Sequence, residues 1–315
     1  MLRYAQDVGS GIYTIDTGFH RPNFDASYLI TQKTSEGIRA GFVDVGTNYS
    51  APRLMSTLED LGLTSNDVQF VILTHVHLDH AGGAGEVMRL CSNARLVVHP
   101  RGARHMIDPS ALRAGAVGVY GEASVQKEYG NLLPIDPNRV IEAPDGTEID
   151  LAGRKLVCLD TPGHAKHHIT IWDEASKGAF TGDTFGLSYR EFDTSKGAFI
   201  MPTTTPVQFD PEALRGSIAK IMAKNPHYLY PTHYSRVENV QYLHEQFIDI
   251  LNQVEKLGNR LKNAENRHEM IKKGLFDIYE CSLRKHGSEL SRHQIEELLA
   301  LDVELNAQGM GIWLG

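Results

Sequence analysis

The sequence predicts a layered α/β fold followed by a helical C-terminal extension, and three observations carry that reading. Short apolar runs alternate with amphipathic helical patterns up to about residue 235, the signature of stacked sheets and helices. Histidines and aspartates gather where apolar runs end, which is where open α/β sheets place their sites. Beyond Ser235 the strand patterns stop and only helical ones follow.

Taken in order, G-I-Y-T-I-D from Gly11, S-Y-L-I from Ser27 and I-R-A-G-F-V-D-V from Ile38 have the length and β-branched or aromatic content of strands. Ser50 reads as the N-cap of a helix that carries Leu54, Leu58 and Leu61 at helical spacing and closes at Gly62. V-Q-F-V-I-L, 68–73, is a near-continuous apolar strand. Residues 82–90 read as helix, A-R-L-V-V-H from Ala94 as strand, and 101–133 as short helices and loop over the core. Strands resume at 139–141, 147–151, 155–159, 169–172 and 179–181. Asp210-Pro211-Glu212 opens a helix to about Lys224, a capping carboxylate followed by proline in the first helical position. H-Y-L-Y-P is the last short strand.

The predicted division is a catalytic domain over 1–235 and a helical cap packed on it over 236–315. Leu243, Phe247, Ile250, Leu251 and Val254 form the cap's apolar stripe. Its simplest use is packing against the main domain, with a homodimer contact as the second reading.

Of the 315 residues 41% are hydrophobic and 22% charged, ordinary for a globular protein. The net charge of −8 and the absence of Lys/Arg runs argue against a nucleic-acid partner. No apolar run reaches the roughly 18–20 residues that span a bilayer. The first residues lack a signal-peptide pattern, and Cys91, Cys158 and Cys281 are few and far apart. Together these predict a cytoplasmic protein that acts on a small molecule, away from membranes.

The stretch T-H-V-H-L-D-H-A-G-G, from Thr74 to Gly83, follows the strand over 68–73. His75 and His77 are two apart in extended backbone, so both imidazoles reach one point. Asp79 and His80 lie on the next turn, where the chain aims a second pair at a neighbouring point. Gly82 and Gly83 permit an unusual turn into the following helix. Imidazole and carboxylate suit zinc, iron or manganese. Three further strand ends present a ligand-type residue: His164 in D-T-P-G-H, Asp183 in F-T-G-D-T and His233 in Y-P-T-H-Y.

With these residues in order, and with Asp44 in F-V-D-V-G-T as a strand-end aspartate, the chain resembles the metallo-β-lactamase superfamily. The resemblance runs from Asp44 to His233 and implies a four-layer αββα sandwich. It further implies two divalent cations, zinc first, with iron or manganese as alternatives. His75, His77 and His164 would hold one, Asp79, His80 and His233 the other, and Asp183 would bridge them, with Asp44 in support. His168 is expected to buttress the site, and His167 and His99 to be surface or structural.

The implied chemistry is hydrolysis, with a bridging hydroxide attacking an ester or thioester carbonyl and Asp79 also serving catalysis. The β-lactam-degrading members are exported and lack the bridging aspartate, so Asp183 argues against that activity. The nucleases of the superfamily carry basic or dedicated nucleic-acid regions that are missing here. Flavodiiron-type members have glutamate where this chain has His77, but mononuclear iron persulfide dioxygenases keep H-x-H-x-D-H. The helical extension resembles that of glyoxalase II and of the quinolone-signal-response thioesterases, although the basic cluster by which glyoxalase II binds glutathione is not seen. An ester or thioester is the leading substrate class. A lactonase, a phosphodiesterase, a dioxygenase and a signalling protein using the fold for binding are the alternatives.

The aperiodic stretch 185–206 follows Asp183 directly, and loops of that length are commonly functional. Tyr189 is a candidate catalytic donor, and Arg190 and Tyr234 are candidate substrate contacts; a solvated loop with an aromatic anchor is the competing reading.

Overall fold

The computed structural model describes residues 2–204 and 207–315. One sheet runs β1 (Ala5–Gly9), β2 (Ile12–Asp16), β3 (Ala26–Thr34), β4 (Gly37–Val43), β5 (Val68–Ile72), β6 (Arg95–Val98) and β7 (Val140–Glu142), hydrogen-bonded in that order. The pairs are antiparallel as far as β4 and parallel beyond it. The other sheet is built from β8 (Thr147–Leu151), β9 (Arg154–Asp160), β10 (Ile169–Asp173), β11 (Gly178–Gly182) and β12 (Tyr228–Pro231), with only the β11–β12 pair parallel. The sequence reading missed β1. Its A-Q-D-V-G buries little more than Val8, and a short, polar edge strand leaves no alternation to detect.

The period-two alternation of strands sorts their side chains into layers. Ile30, Val43, Ile72 and Val97 of the first sheet meet Leu156, Cys158, Ile171 and Phe180 of the second in the central core. On the opposite face, Leu29, Phe42, Val71 and Leu96 pack under α1 (Ala51–Asp60), α2 (Leu78–Ala81), α3 (Ala84–Leu90) and α4 (Pro100–Ile107). Two further helices, α5 (Ser110–Tyr120) and α6 (Glu122–Tyr129), complete the 101–133 region. The outer face of the second sheet, with Val157, Leu159, Ala179 and Leu229, is covered by α7 (Pro211–Met222) and α8 (Val240–Leu261). The result is the four-layer helix–sheet–sheet–helix order implied at the outset.

Local details differ in two places. Ser50 is not a side-chain cap for α1: Thr47 caps the preceding turn, and the Ser50 hydroxyl accepts the Thr47 N–H at 3.1 Å. The helix expected over 82–90 begins at Ala84, and the turn read at Asp79 and His80 is a short helix, α2, with Gly82 and Gly83 between it and α3. Both glycines have ordinary helical backbone angles, so no unusual turn requires them. Gly83 is needed for close approach, because a Cβ there would lie 2.5 Å from the Thr47 carbonyl oxygen. Asp210 caps α7 as its sequence predicts, accepting from the N–H groups of Glu212 and Ala213.

After α8 the chain forms α9 (Arg267–His286) and α10 (Arg292–Leu314). The stripe Leu243, Phe247, Ile250, Leu251 and Val254 is fully buried, and the Phe247 ring lies 5.4 Å from that of Phe185. One cluster joins the interiors of α8, α9 and α10 to Phe19, Phe24, Leu187 and Tyr189. The three helices therefore rest on the loop after Asp183, which also gives the Thr204 N–H to Asn306 of α10 at 2.7 Å. Of the stretch 185–206, Thr205 and Pro206 lie outside the described residues. No helix among the described residues is long and apolar enough to cross a membrane.

Phe180 is fully buried between Tyr28 and Tyr230, with ring centroids at 5.2 and 4.6 Å. Phe180→Ala is expected to lower unfolding stability by about 3–5 kcal/mol through the cavity it leaves. Urea denaturation checks this; the midpoint falls while the slope stays constant.

Candidate metal centre

Each candidate ligand sits just beyond a strand or on the turn that follows it. His75 and His77 follow β5, Asp79 and His80 lie on α2, His164 follows β9, Asp183 follows β11 and His233 follows β12. Because the two sheets pack face to face, these ends converge. Ligand atoms of His75, His77 and His164 all fall within 4.8 Å of one another, as do those of Asp79, His80 and His233. Asp183 groups with His75 of the first trio and His80 of the second. Its two oxygens divide accordingly: Oδ2 lies 3.6 Å from His164 Nε2, while Oδ1 lies 3.4 Å from His80 Nε2 and 3.8 Å from His233 Nε2.

Asp44 orders this end of the first sheet. Its carboxylate accepts the Thr74 N–H, the Thr74 and Thr232 hydroxyls and His80 Nδ1, each at 2.8 Å. The residue is fully buried and holds φ at +51°, a left-handed conformation that aspartate tolerates better than most side chains. With Nδ1–H given to Asp44, His80 turns its Nε2 to the centre. His233 does the same by donating Nδ1–H to the Phe24 carbonyl at 2.8 Å. The Thr74 hydroxyl donates to Asp44, so its lone pair receives His75 Nδ1–H at 3.1 Å and His75 Nε2 faces inward. His168 does not join either trio; its Nε2 accepts the Asp183 N–H at 3.3 Å and its Nδ1 meets the Thr161 hydroxyl at 3.0 Å. Gly182 makes that contact possible, since a Cβ there would stand 2.6 Å from both His168 Nε2 and Thr74 Oγ1.

Residues that need cations leave a trace here. His75 Nε2, His80 Nε2 and Asp183 Oδ1 are buried without a hydrogen-bond partner. Leaving such groups unsatisfied costs about 1–3 kcal/mol each, and divalent cations would satisfy all three. The donor set of imidazoles and carboxylates suits a divalent metal, so the residues fit what the fold implies.

The two trios differ in charge. Burial, reinforced by the neighbouring imidazoles, pushes His75 well below its ordinary value; His77 falls to about 3 and His164 to about 4, both chiefly through burial. The first trio thus offers neutral lone pairs. Burial also acts to lower His80 and His233, but Asp183 and Asp79 outweigh it, together with Asp44 at His80 and Asp25 at His233. His80 is raised well above its ordinary value and His233 to about 9. Asp79 and Asp183 move the other way: burial would raise them, and the imidazoles hold both below the usual carboxylate range.

Residues 9–233 match the model of the metallo-beta-lactamase superfamily. The chain belongs to that superfamily. Among curated relatives, the metallo-beta-lactamase fold-containing protein ST1585 of Sulfurisphaera tokodaii is 29% identical over 144 residues, 44% of this chain and 51% of that protein. The acyl-coenzyme A thioesterase MBLAC2 of Bos taurus is 24% identical over 191 residues, 56% of this chain and 64% of that protein. The match thus spans about half to under two thirds of these relatives' length. The crystal structure of ST1585 superposes with a TM-score of 0.65 at 21% identity, covering 95% of this chain and 98% of that one. The superfamily protein TTHA1429 of Thermus thermophilus gives 0.66 at 21% identity, covering 98% and 94%. At such identities these two neighbours speak for the fold.

Three expected substrate-side residues are turned elsewhere. Tyr189 is almost fully buried, and its hydroxyl donates to Asp302 of α10 at 3.1 Å. Only its ring borders the centre, 6.4 Å from that of His233 and stacked on Phe24 at 5.3 Å. Arg190 is spent on the Ser188 carbonyl and hydroxyl and on Asp193 at 3.4 Å. Tyr234 lies in the core between the sheets.

Sequence reasoning missed Phe24 and Asp302. A backbone carbonyl has no side-chain signature, and α10 lies far along the chain from the motifs. Thr74 and Thr232 did leave a signal, since two of the ligand-bearing strand ends read Thr-His.

Metal binding must displace the protons held by His80 and His233. At pH 7, zinc uptake by the metal-free chain is expected to release close to one proton from each. Because His233 keeps its proton up to about 9, affinity at the second trio rises with pH toward that value. Calorimetry in buffers of different ionisation enthalpy checks this; proton-free, pH-independent binding would contradict the reading.

Proposed function

We propose that this chain is a two-metal hydrolase of small-molecule thioesters, with oxygen esters as the neighbouring class. The observation that carries the reading is the split of Asp183, one oxygen toward each trio, at distances suited to a shared site. Such an arrangement speaks for two cations rather than one. A bound pair of divalent metals, zinc first, supplies a nucleophilic water at neutral pH and polarises a carbonyl oxygen.

The protein's own groups hold the remaining parts. Asp79 has the more exposed carboxylate of the two, 26% against 7% for Asp183. Its Oδ2 faces His233 and His80 at 3.4 and 3.6 Å, which leaves Oδ1 to accept a proton from the attacking water. Phe19, Phe24, Leu78, Tyr129 and Tyr189 belong to one apolar cluster beside His233, and this wall suits the acyl portion and excludes water. Water adds to the carbonyl carbon, the carbon–sulfur bond breaks, and acid and thiol leave. A thiolate is a far weaker base than an alkoxide, so it departs without a strong proton donor. With Tyr189 and Arg190 both committed elsewhere, the site favours that leaving group. The relative MBLAC2, described as an acyl-coenzyme A thioesterase, supports the same class.

Chelation is expected to abolish turnover of acyl thioesters, and added zinc, iron or manganese to restore it. His233→Ala should lower kcat by at least about a hundredfold, or ~2.7 kcal/mol of barrier. Steady-state kinetics on a panel of thioesters, lactones and phosphodiesters, with elemental analysis of each preparation, checks this. Unchanged thioester turnover after metal removal would overturn the proposal.

A further inference from the structure

One face beside the metal centre carries cations that are not paired with carboxylates. Helix α4 packs its first turn against the turn that carries His164 and His168: a Cβ at Gly102 would lie 3.9 Å from His167 Cβ, and Arg101 Nη1 reaches the Lys166 carbonyl at 3.5 Å. Arg101 and Arg104, three apart on that helix, present the same exposed face. Lys166 is exposed beside them. Among the described residues, none of these three cations has a carboxylate within ion-pair distance, although the chain as a whole carries a net charge of −8. Nearby, Asp160 is taken by His99 Nε2 at 3.3 Å.

The patch is continuous with the site. His167 lies between the two, its ring 5.7 Å from that of His77. His77 and Asp79 are the two members of the constellation that are not fully buried, so the centre is exposed in part at His77, beside His167.

We propose that Arg101, Arg104 and Lys166 form a binding site for the phosphate groups of the substrate's thiol carrier. The ligand class is a thioester of a phosphorylated small-molecule thiol, with its acyl end at the metals and its phosphates on α4. This rests on the thioester reading above and adds to it what holds the leaving thiol. Three exposed cations without carboxylate partners on one face suit a polyanion: arginine forks bind phosphate oxygens in pairs, and lysine adds a point charge. The patch also offsets the repulsion that an acidic chain exerts on a polyanion.

The test combines Arg101→Ala, Arg104→Ala and Lys166→Ala in the metal-loaded enzyme, all at exposed positions. An acyl-coenzyme A and the same acyl group on N-acetylcysteamine, which bears no phosphate, are the paired substrates. The preference for the coenzyme A ester is expected to fall about tenfold or more, through KM, since each charge-assisted hydrogen bond contributes on the order of a factor of ten. Binding of adenosine 3′,5′-bisphosphate, measured by calorimetry, should weaken by a similar factor in the triple variant and with added salt in the wild type. An unchanged preference, equal binding of the bisphosphate to both proteins, or a wild-type preference for acyl groups on a carrier protein would overturn the proposal. If no thioester is turned over, the hydrolase reading fails by itself, and the bisphosphate titration still reports on the patch.

Discussion

Buried nitrogen and oxygen atoms that face one another without a partner are the constraint on which this structure depends. His75, His80, His164, His233 and Asp183 are all buried, and Nε2 of His75, Nε2 of His80 and Oδ1 of Asp183 lack any hydrogen bond. A folded chain tolerates such a cluster only if the surrounding packing holds it and something satisfies it. Divalent cations are the groups that fit. The rest of the molecule reads as the means of keeping those atoms close together.

Two sheets are needed because one strand end presents too few ligands. The first sheet contributes His75 and His77 and, through the turn after β5, Asp79 and His80; the second contributes His164, Asp183 and His233. Face-to-face packing through Tyr28, Phe180 and Tyr230 sets the distance between the two groups. Asp44 then joins the sheets directly, accepting from Thr74 on one and Thr232 on the other. Its carboxylate couples the fold to the chemistry. The helices after β12 extend the same logic, since Asp302 holds the Tyr189 hydroxyl and Asn306 holds the loop after Asp183.

The layered fold was legible because its strands are short apolar runs rich in β-branched and aromatic residues, set between helical patterns; in β3, Tyr28 and Ile30 then face one core and Leu29 the other. The edge strand β1 was not, since a half-exposed polar strand has no pattern to read. The constellation was legible for a related reason: imidazole and carboxylate at strand ends are chemically conspicuous. Its supports were not. Phe24 acts through a carbonyl, and the Gly83 requirement follows from a neighbouring backbone. Tyr189, Arg190 and Tyr234 show the opposite error. Polar residues beside a motif were expected to face the substrate, but sequence adjacency does not set side-chain direction. Tyr189 found a partner in α10, Arg190 turned back on Ser188 and Tyr234 entered the core. The cations near His77 stayed hidden because Lys166 is far in sequence from Arg101 and Arg104, and only the fold joins them.

Anomalous diffraction from zinc-loaded crystals, recorded on both sides of the absorption edge, tests the central claim most directly. The account predicts two peaks, one among His75, His77 and His164 and the other among Asp79, His80 and His233, with Asp183 between them. A single peak at full occupancy, or no anomalous density among these side chains, would contradict it.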